Sequence, residues 1–201
     1  MKNKNELLIY RILLIILIIV AIIIGGIIFK KQHDDLVYDS ENKKIVELFH
    51  KQESKDSEDV EQKKQVDLEY KGHKVIGLIE IPATGIEYPI LDKTTKLAMR
   101  TSISRFYGGE INEYGNVSLA GHNNYSGTMF GKNKNLKLGD KVLLTDLTGR
   151  TIEYKIYEIF VTDPDDTTIL ETKDETKREV TLITCKNGRS ERLIIKAREN
   201  I

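Results

Sequence analysis

Every residue from 12 to 29 is apolar or glycine, and this run constrains the chain more than any other feature. With Leu7, Leu8 and Ile9 ahead of Tyr10 and Arg11, the stretch 7–29 is 23 residues long. A helix of roughly 20 such residues crosses a bilayer. No small-x-small cleavage site follows; the run meets Phe29-Lys30-Lys31 instead, which reads as an uncleaved anchor rather than a signal peptide. Lys2, Lys4 and Arg11 on one side face Lys30 and Lys31 on the other, so the positive-inside count does not orient it. A short tail, 1–6, with nothing to translocate places the N-terminus inside and the body of the chain outside the cell.

The segment 30–72 holds 9 Lys and 12 Asp or Glu, with no proline and no glycine before Gly72. Nearly half charged, it cannot build a core of its own. Ile45, Leu48, Phe49 and Gln52 lie at helical spacing, which predicts a weakly amphipathic helix near 40–53 in a charged, partly helical stalk. The expected role is a solvated spacer. The remainder, 73–201, is the size of one ordinary domain. Lys and Arg number 31 against 31 Asp and Glu, with no basic block, which excludes nucleic acid as an expected partner.

Short β-rich runs fill this domain, at 75–81, 86–91, 116–122, 141–146, 151–161, 180–185 and 192–197. Turn chemistry at Asn-Gly, Thr-Gly and Asp-Pro separates several of them, and residues 96–104 suit a short helix. The expected fold is mainly β, an antiparallel sandwich or barrel with short helices. The long helices that would alternate with strands in a doubly wound fold are absent.

The last two strands can be aligned. Placing Cys185 opposite Arg192, with 186–191 as the loop, pairs Thr184 with Leu193, Leu182 with Ile195 and Val180 with Ala197. Opposed residues share a face, so this register makes one nearly apolar face. The other face then carries Cys185 with Arg192, Ile183 with Ile194 and Thr181 with Lys196. A lone cysteine is most often a buried small hydrophobe. This one ends a strand on the face away from the core, in a compartment where a thiol finds no partner within the chain.

Of four histidines, His33 and His50 lie in the stalk and His73 at its edge. His122 ends a strand beside Gly121, where an imidazole could serve as acid or base. A guanidinium cannot act as a base, so Arg192 beside a nucleophilic thiol would stabilise an oxyanion or hold carbonyls. Arg189, in the loop, reads as a solvated side chain. No Cys/His cluster at ligand spacing supports a metal, and nothing calls for a cofactor.

Leu119-Ala120-Gly121-His122, Thr181-Leu182-Ile183-Thr184-Cys185 and an arginine shortly downstream together resemble the signature of sortases, bacterial membrane-anchored cysteine transpeptidases. Ile76-Gly77-x-Ile79-x-Ile81-Pro82 with Pro89-Ile90, Gly115-Asn116 and Leu138-Gly139-Asp140-Lys141-Val142 extend the likeness over about 74–198. The segment Leu97-Ala98-Met99-Arg100 lacks the small glycine of the family pattern. The span 164–178 has no room for the long helix of class B, and no Asp-Pro-aromatic lid or carboxy-terminal span of class C is seen. Class A or class D is the nearest match. Glu110 matches the calcium-binding acids of some class A members, but the set is only partly present and no metal is assigned.

The resemblance implies an eight-stranded closed β-barrel behind a transmembrane helix. It implies Cys185 as nucleophile, His122 as general acid and base, and Arg192 as oxyanion or substrate-orienting group. It implies Ala120, Ile183, Thr184 and Ile194 as substrate-groove or supporting positions. The expected substrates are surface proteins bearing a Leu-Pro-x-Thr-Gly-like sorting signal and an amine on a cell-wall precursor. Two rivals remain on the residues alone. A papain-type peptidase puts Cys before His in the chain, the reverse of this order, and a barrel binding module would bury an inert cysteine.

Overall fold

The computed structural model describes residues 4–56, 66–172 and 174–199. Positions 1–3 of the expected tail and 57–65 of the expected stalk lie outside the described residues.

One helix, α1 (Lys4–Asp56), runs without interruption through the apolar stretch and into the charged segment. It is long and apolar enough to cross a membrane, and its apolar window is unburied. Its second half is no free spacer. Asn42, Val46 and Phe49 are buried, while Leu48 faces outward. The docking stripe is therefore 42, 45, 46, 49, a helical i, i+3, i+4, i+7 pattern. Asn42 Nδ2 donates to Thr101 O at 2.7 Å, and Asp34 pairs with Arg100 at 3.0 Å. Tyr88 donates its hydroxyl to Asp39, and Tyr70 donates to Glu41 at 2.8 Å. Burying the Phe49 ring contributes about 1.5–3 kcal/mol to holding the helix in place.

Nine strands follow among the described residues: β1 (Glu69–Tyr70), β2 (His73–Ile81), β3 (Ile86–Leu91), β4 (Ile103–Tyr107), β5 (Gly115–Ala120), β6 (Lys141–Asp146), β7 (Thr151–Thr162), β8 (Arg178–Lys186) and β9 (Glu191–Glu199). A short helix, α2 (Lys96–Thr101), precedes β4. The sheet order is β1-β2-β3-β4-β5-β8-β9-β7-β6, and β2 also pairs with β6. Strands β2 to β9 thus close an eight-stranded barrel, as the fold expectation had it, with β1 a two-residue addition on β2. Closure leaves no edge among the eight.

The barrel core contains Ile79, Ile81, Leu119, Leu144, Tyr154, Val180, Leu182 and Ile195, all nearly inaccessible. Its chemistry explains the register of the last hairpin. Cys185 lies opposite Arg192, Thr184 opposite Leu193, Leu182 opposite Ile195 and Val180 opposite Ala197. The loop is tighter than the six residues expected, because Lys186 pairs with Glu191. Asn187 and Gly188 accept left-handed φ values of 47° and 77°, which lets the chain reverse in so few residues.

Strand β4 was hidden in the sequence. The helix expected over 96–104 ends at Thr101, capped at its start by Thr95 accepting from Ala98 N at 3.1 Å. Ile103 is then fully buried, and β4 pairs in parallel with β3 and antiparallel with β5.

Candidate active site

Strands β5 and β8 run parallel, with Ala120 opposite Ile183. His122 lies two residues beyond Ala120 and Cys185 two beyond Ile183. The same register that fills the core therefore brings imidazole and thiol to one end of the barrel. Three hydrogen bonds lock the two strand ends together. Gly121 N donates to Ile183 O at 3.2 Å, Thr184 Oγ1 donates to Gly121 O at 2.8 Å, and Asn123 Nδ2 donates to Cys185 O at 2.9 Å. Gly121 is needed for packing as well, since a Cβ there would come within 2.8 Å of the Phe130 ring.

Cys185 is free and partly exposed, and it lines a cleft of about 710 Å³ together with His122, Asn123 and Arg189. The opposite wall comes from α1, through Ile27, Lys31 and Asp35. Asp35 accepts from Ser126 Oγ at 3.5 Å. Burial lowers the pKa of His122 below its ordinary value; Lys31 and Arg189 push the same way, and Asp35 opposes them. Burial in turn raises the pKa of Asp35, against the pull of Lys31 and Ser126. Neutral imidazole therefore dominates at neutral pH, with Cys185 in the same cleft.

These charges give a two-way test of the α1 wall. Lys31→Ala removes a repelling cation and should raise the midpoint of the His122 imidazole in an NMR titration. Asp35→Asn removes a supporting carboxylate and should lower it. Unmoved midpoints in both variants would show that α1 does not wall the cleft in solution.

Arg192 is opposite Cys185 in the backbone, but its guanidinium turns to the loop. Nη1 donates to Arg189 O at 3.0 Å and to Glu191 O at 3.2 Å. Of these two arginines it is Arg189, read from sequence as a bystander, that lines the cleft and acts on His122. Thr184 and Ala120 are buried, Thr184 as a brace between strand ends. Ile183 and Ile194 are buried on the outer face with Ile169, and Phe160 and Leu170 pack against them. Ile169 and Leu170 belong to a 3₁₀ turn in the connection from β7 to β8.

Among the described residues no group of three or more His, Cys, Asp or Glu could hold a metal ion. Glu110 instead forms an ion pair with Arg105 at 2.8 Å. Sequence reasoning missed Lys31 and Asp35 as parts of the site. Both lie just past the apolar run, and nothing in their local pattern distinguishes them from the other stalk charges.

The structure is a closed mixed barrel that brings one thiol and one imidazole to adjacent parallel strand ends. A sortase-domain family model matches residues 79–200, and the chain belongs to the sortase family. It is 34% identical over 113 residues to Sortase A of Bacillus anthracis, covering 56% of this chain and 52% of that protein. Against Sortase A of Listeria monocytogenes it is 30% identical over 118 residues, covering 58% and 51%. The match thus spans about half the length of these relatives. Among solved structures, a Clostridium perfringens Sortase D5 transpeptidase superposes with a TM-score of 0.62 at 27% identity, over 82% of this chain and 99% of that one.

Proposed function

We propose that the protein is a cysteine transpeptidase that cuts a Leu-Pro-x-Thr-Gly-like sorting signal between Thr and Gly and passes the acyl group to a cell-wall precursor amine. The observation that carries this reading is the parallel β5–β8 register, which sets His122 and Cys185 side by side at a cleft. Cys185 passes its thiol proton to neutral His122, and Sγ attacks the threonyl carbonyl carbon to give a tetrahedral intermediate that collapses to the thioester. The C–N bond to glycine breaks as His122 gives the leaving amine a proton. The acceptor amine then attacks the thioester, loses its proton to His122 and expels Sγ. Ile183 and Ile194 are buried beneath the 3₁₀ turn at Thr168–Leu170 and support the barrel end behind the cleft. The stretch 7–29 anchors the chain with its N-terminus inside and the barrel on the outer face.

Incubation with a panel of pentapeptides, followed by mass spectrometry of the intact protein, tests the reaction. A Leu-Pro-x-Thr mass addition on Cys185, discharged by an amine, is the expected result. No adduct with any peptide of this type would overturn the substrate assignment.

The two arginines are separable. Arg192, opposite Cys185 in the backbone, is expected to leave its loop carbonyls for the thiol when substrate binds, so Arg192→Ala should lower turnover by ~10²-fold or more, the scale of losing one oxyanion donor. Arg192→Lys should recover only part, because an ammonium lacks the planar fork. Arg189→Ala should change turnover little while raising the His122 midpoint, since one repelling cation is gone. The reverse ranking in steady-state kinetics would pass the oxyanion role to Arg189.

A further inference from the structure

We infer that the mouth of the cleft docks on an anionic phospholipid surface, that of the membrane which 7–29 enters. The inference rests on reading 7–29 as a membrane anchor. Ile27 belongs to that apolar stretch and lines the same cleft as His122 and Cys185. From Phe29 to Asp35 the helix rises only about 9 Å, at ~1.5 Å per residue. A headgroup layer is itself roughly 5–8 Å thick on each side of the hydrocarbon. The barrel loops that face Ile27, Lys31 and Asp35 therefore sit among headgroups, with no spacer between them and the lipid. The height is fixed, since α1 is pinned by the Asp34–Arg100 pair at 3.0 Å, the Asn42–Thr101 bond at 2.7 Å and buried Phe49.

The chemistry of this face suits such a surface. The cleft is lined by Lys30, Lys31, Arg100, Lys134 and Arg189. The carboxylates there are Asp34, already paired with Arg100, and Asp35. From Gly121 to Gly139 the chain carries Lys132, Lys134 and Lys137 and no carboxylate. Beside Cys185, Lys186 is exposed, and the nearby Glu191 accepts a hydrogen bond from Asn187. Tyr125, between His122 and these lysines, is 100% exposed. Basic side chains around an aromatic ring at the end of an apolar span are what an anionic interface attracts.

The chain has no tryptophan, so single reporters can be introduced into the full-length protein in lipid nanodiscs. Ile18→Trp reads insertion of the anchor, and Tyr125→Trp reads the face beside the cleft. Glu175→Trp, in the exposed turn before β8, reads the far end of the barrel, about 26 Å away along that strand at ~3.3 Å per residue. Lipids brominated at shallow or deep positions quench whichever reporter they reach. With phosphatidylglycerol present, shallow bromines should quench Tyr125→Trp several-fold more than Glu175→Trp. Adding Lys134→Glu and Lys186→Glu should at least halve that quenching, as should pure phosphatidylcholine. If deep bromines quench Ile18→Trp while Tyr125→Trp is untouched, the anchor reading stands and the docking inference is wrong. Equal quenching with and without anionic lipid would overturn the charge recognition. An unquenched Ile18→Trp would overturn the anchor reading and the inference together.

Discussion

Cys185→Ala should fold as the parent does and transfer nothing. The strand ends are held by the backbone carbonyl of Cys185, which accepts from Asn123, and by Thr184 with Gly121. Alanine keeps all of these. Its methyl group also fits a partly exposed strand end, so thermal unfolding should be nearly unchanged. Turnover should fall on the order of 10⁴-fold or more, the scale seen when a member of a coupled catalytic group is removed. A Cys185→Ala protein that still cleaved a sorting peptide would remove the thiol from the mechanism.

His122→Ala should be the next most damaging change, about 10²- to 10⁴-fold, the usual contribution of a positioned acid and base. The pH dependence supplies a second reading of the same residue. Burial lowers its pKa, so at neutral pH the imidazole is free to take the proton of an attacking amine. As pH falls through that lowered pKa the imidazole becomes charged and the base is lost. Aminolysis of a preformed thioester should therefore decline with a midpoint below the ordinary histidine value of ~6.5, and the decline should vanish in His122→Ala. A profile flat from neutral into acid in the parent protein would contradict the role. If the Ala variant kept the acid limb, another group would be responsible.

Core chemistry was legible because it repeats with period two. The alternation in 179–185 and 192–197 admits one register that buries Val180, Leu182, Ile195 and Ala197 together, and the structure adopts it. β4 escaped because it opens on Ile103-Ser104-Arg105, with a single apolar residue, directly after a capped helix. Yet without β4 the barrel has a gap between β3 and β5. The docking of α1 was invisible for a related reason. Its apolar contact is small, Val46 and Phe49 with Ile45 packed beside them, and much of the rest is polar: Asn42 donates to Thr101, Tyr88 and Tyr70 donate to Asp39 and Glu41, and Asp34 pairs with Arg100. Such polar pairings depend on where the barrel places Thr101, Tyr88 and Tyr70, which no local pattern encodes. The orientation of Arg192 was missed similarly, since backbone register fixes which residues are opposed but leaves the rotamer of a long side chain open.

The parallel pairing of β5 with β8 has a kinetic consequence. Antiparallel neighbours can zip from a turn, whereas Gly115–Ala120 must wait for Arg178–Lys186, with β6 and β7 intervening in the chain. Contacts of such high sequence separation form slowly, because the loop must be closed before they return any energy. Thiol and imidazole therefore come together only when the polypeptide has completed this last circuit. A half-folded chain therefore carries the Cys185 thiol without the His122 imidazole beside it.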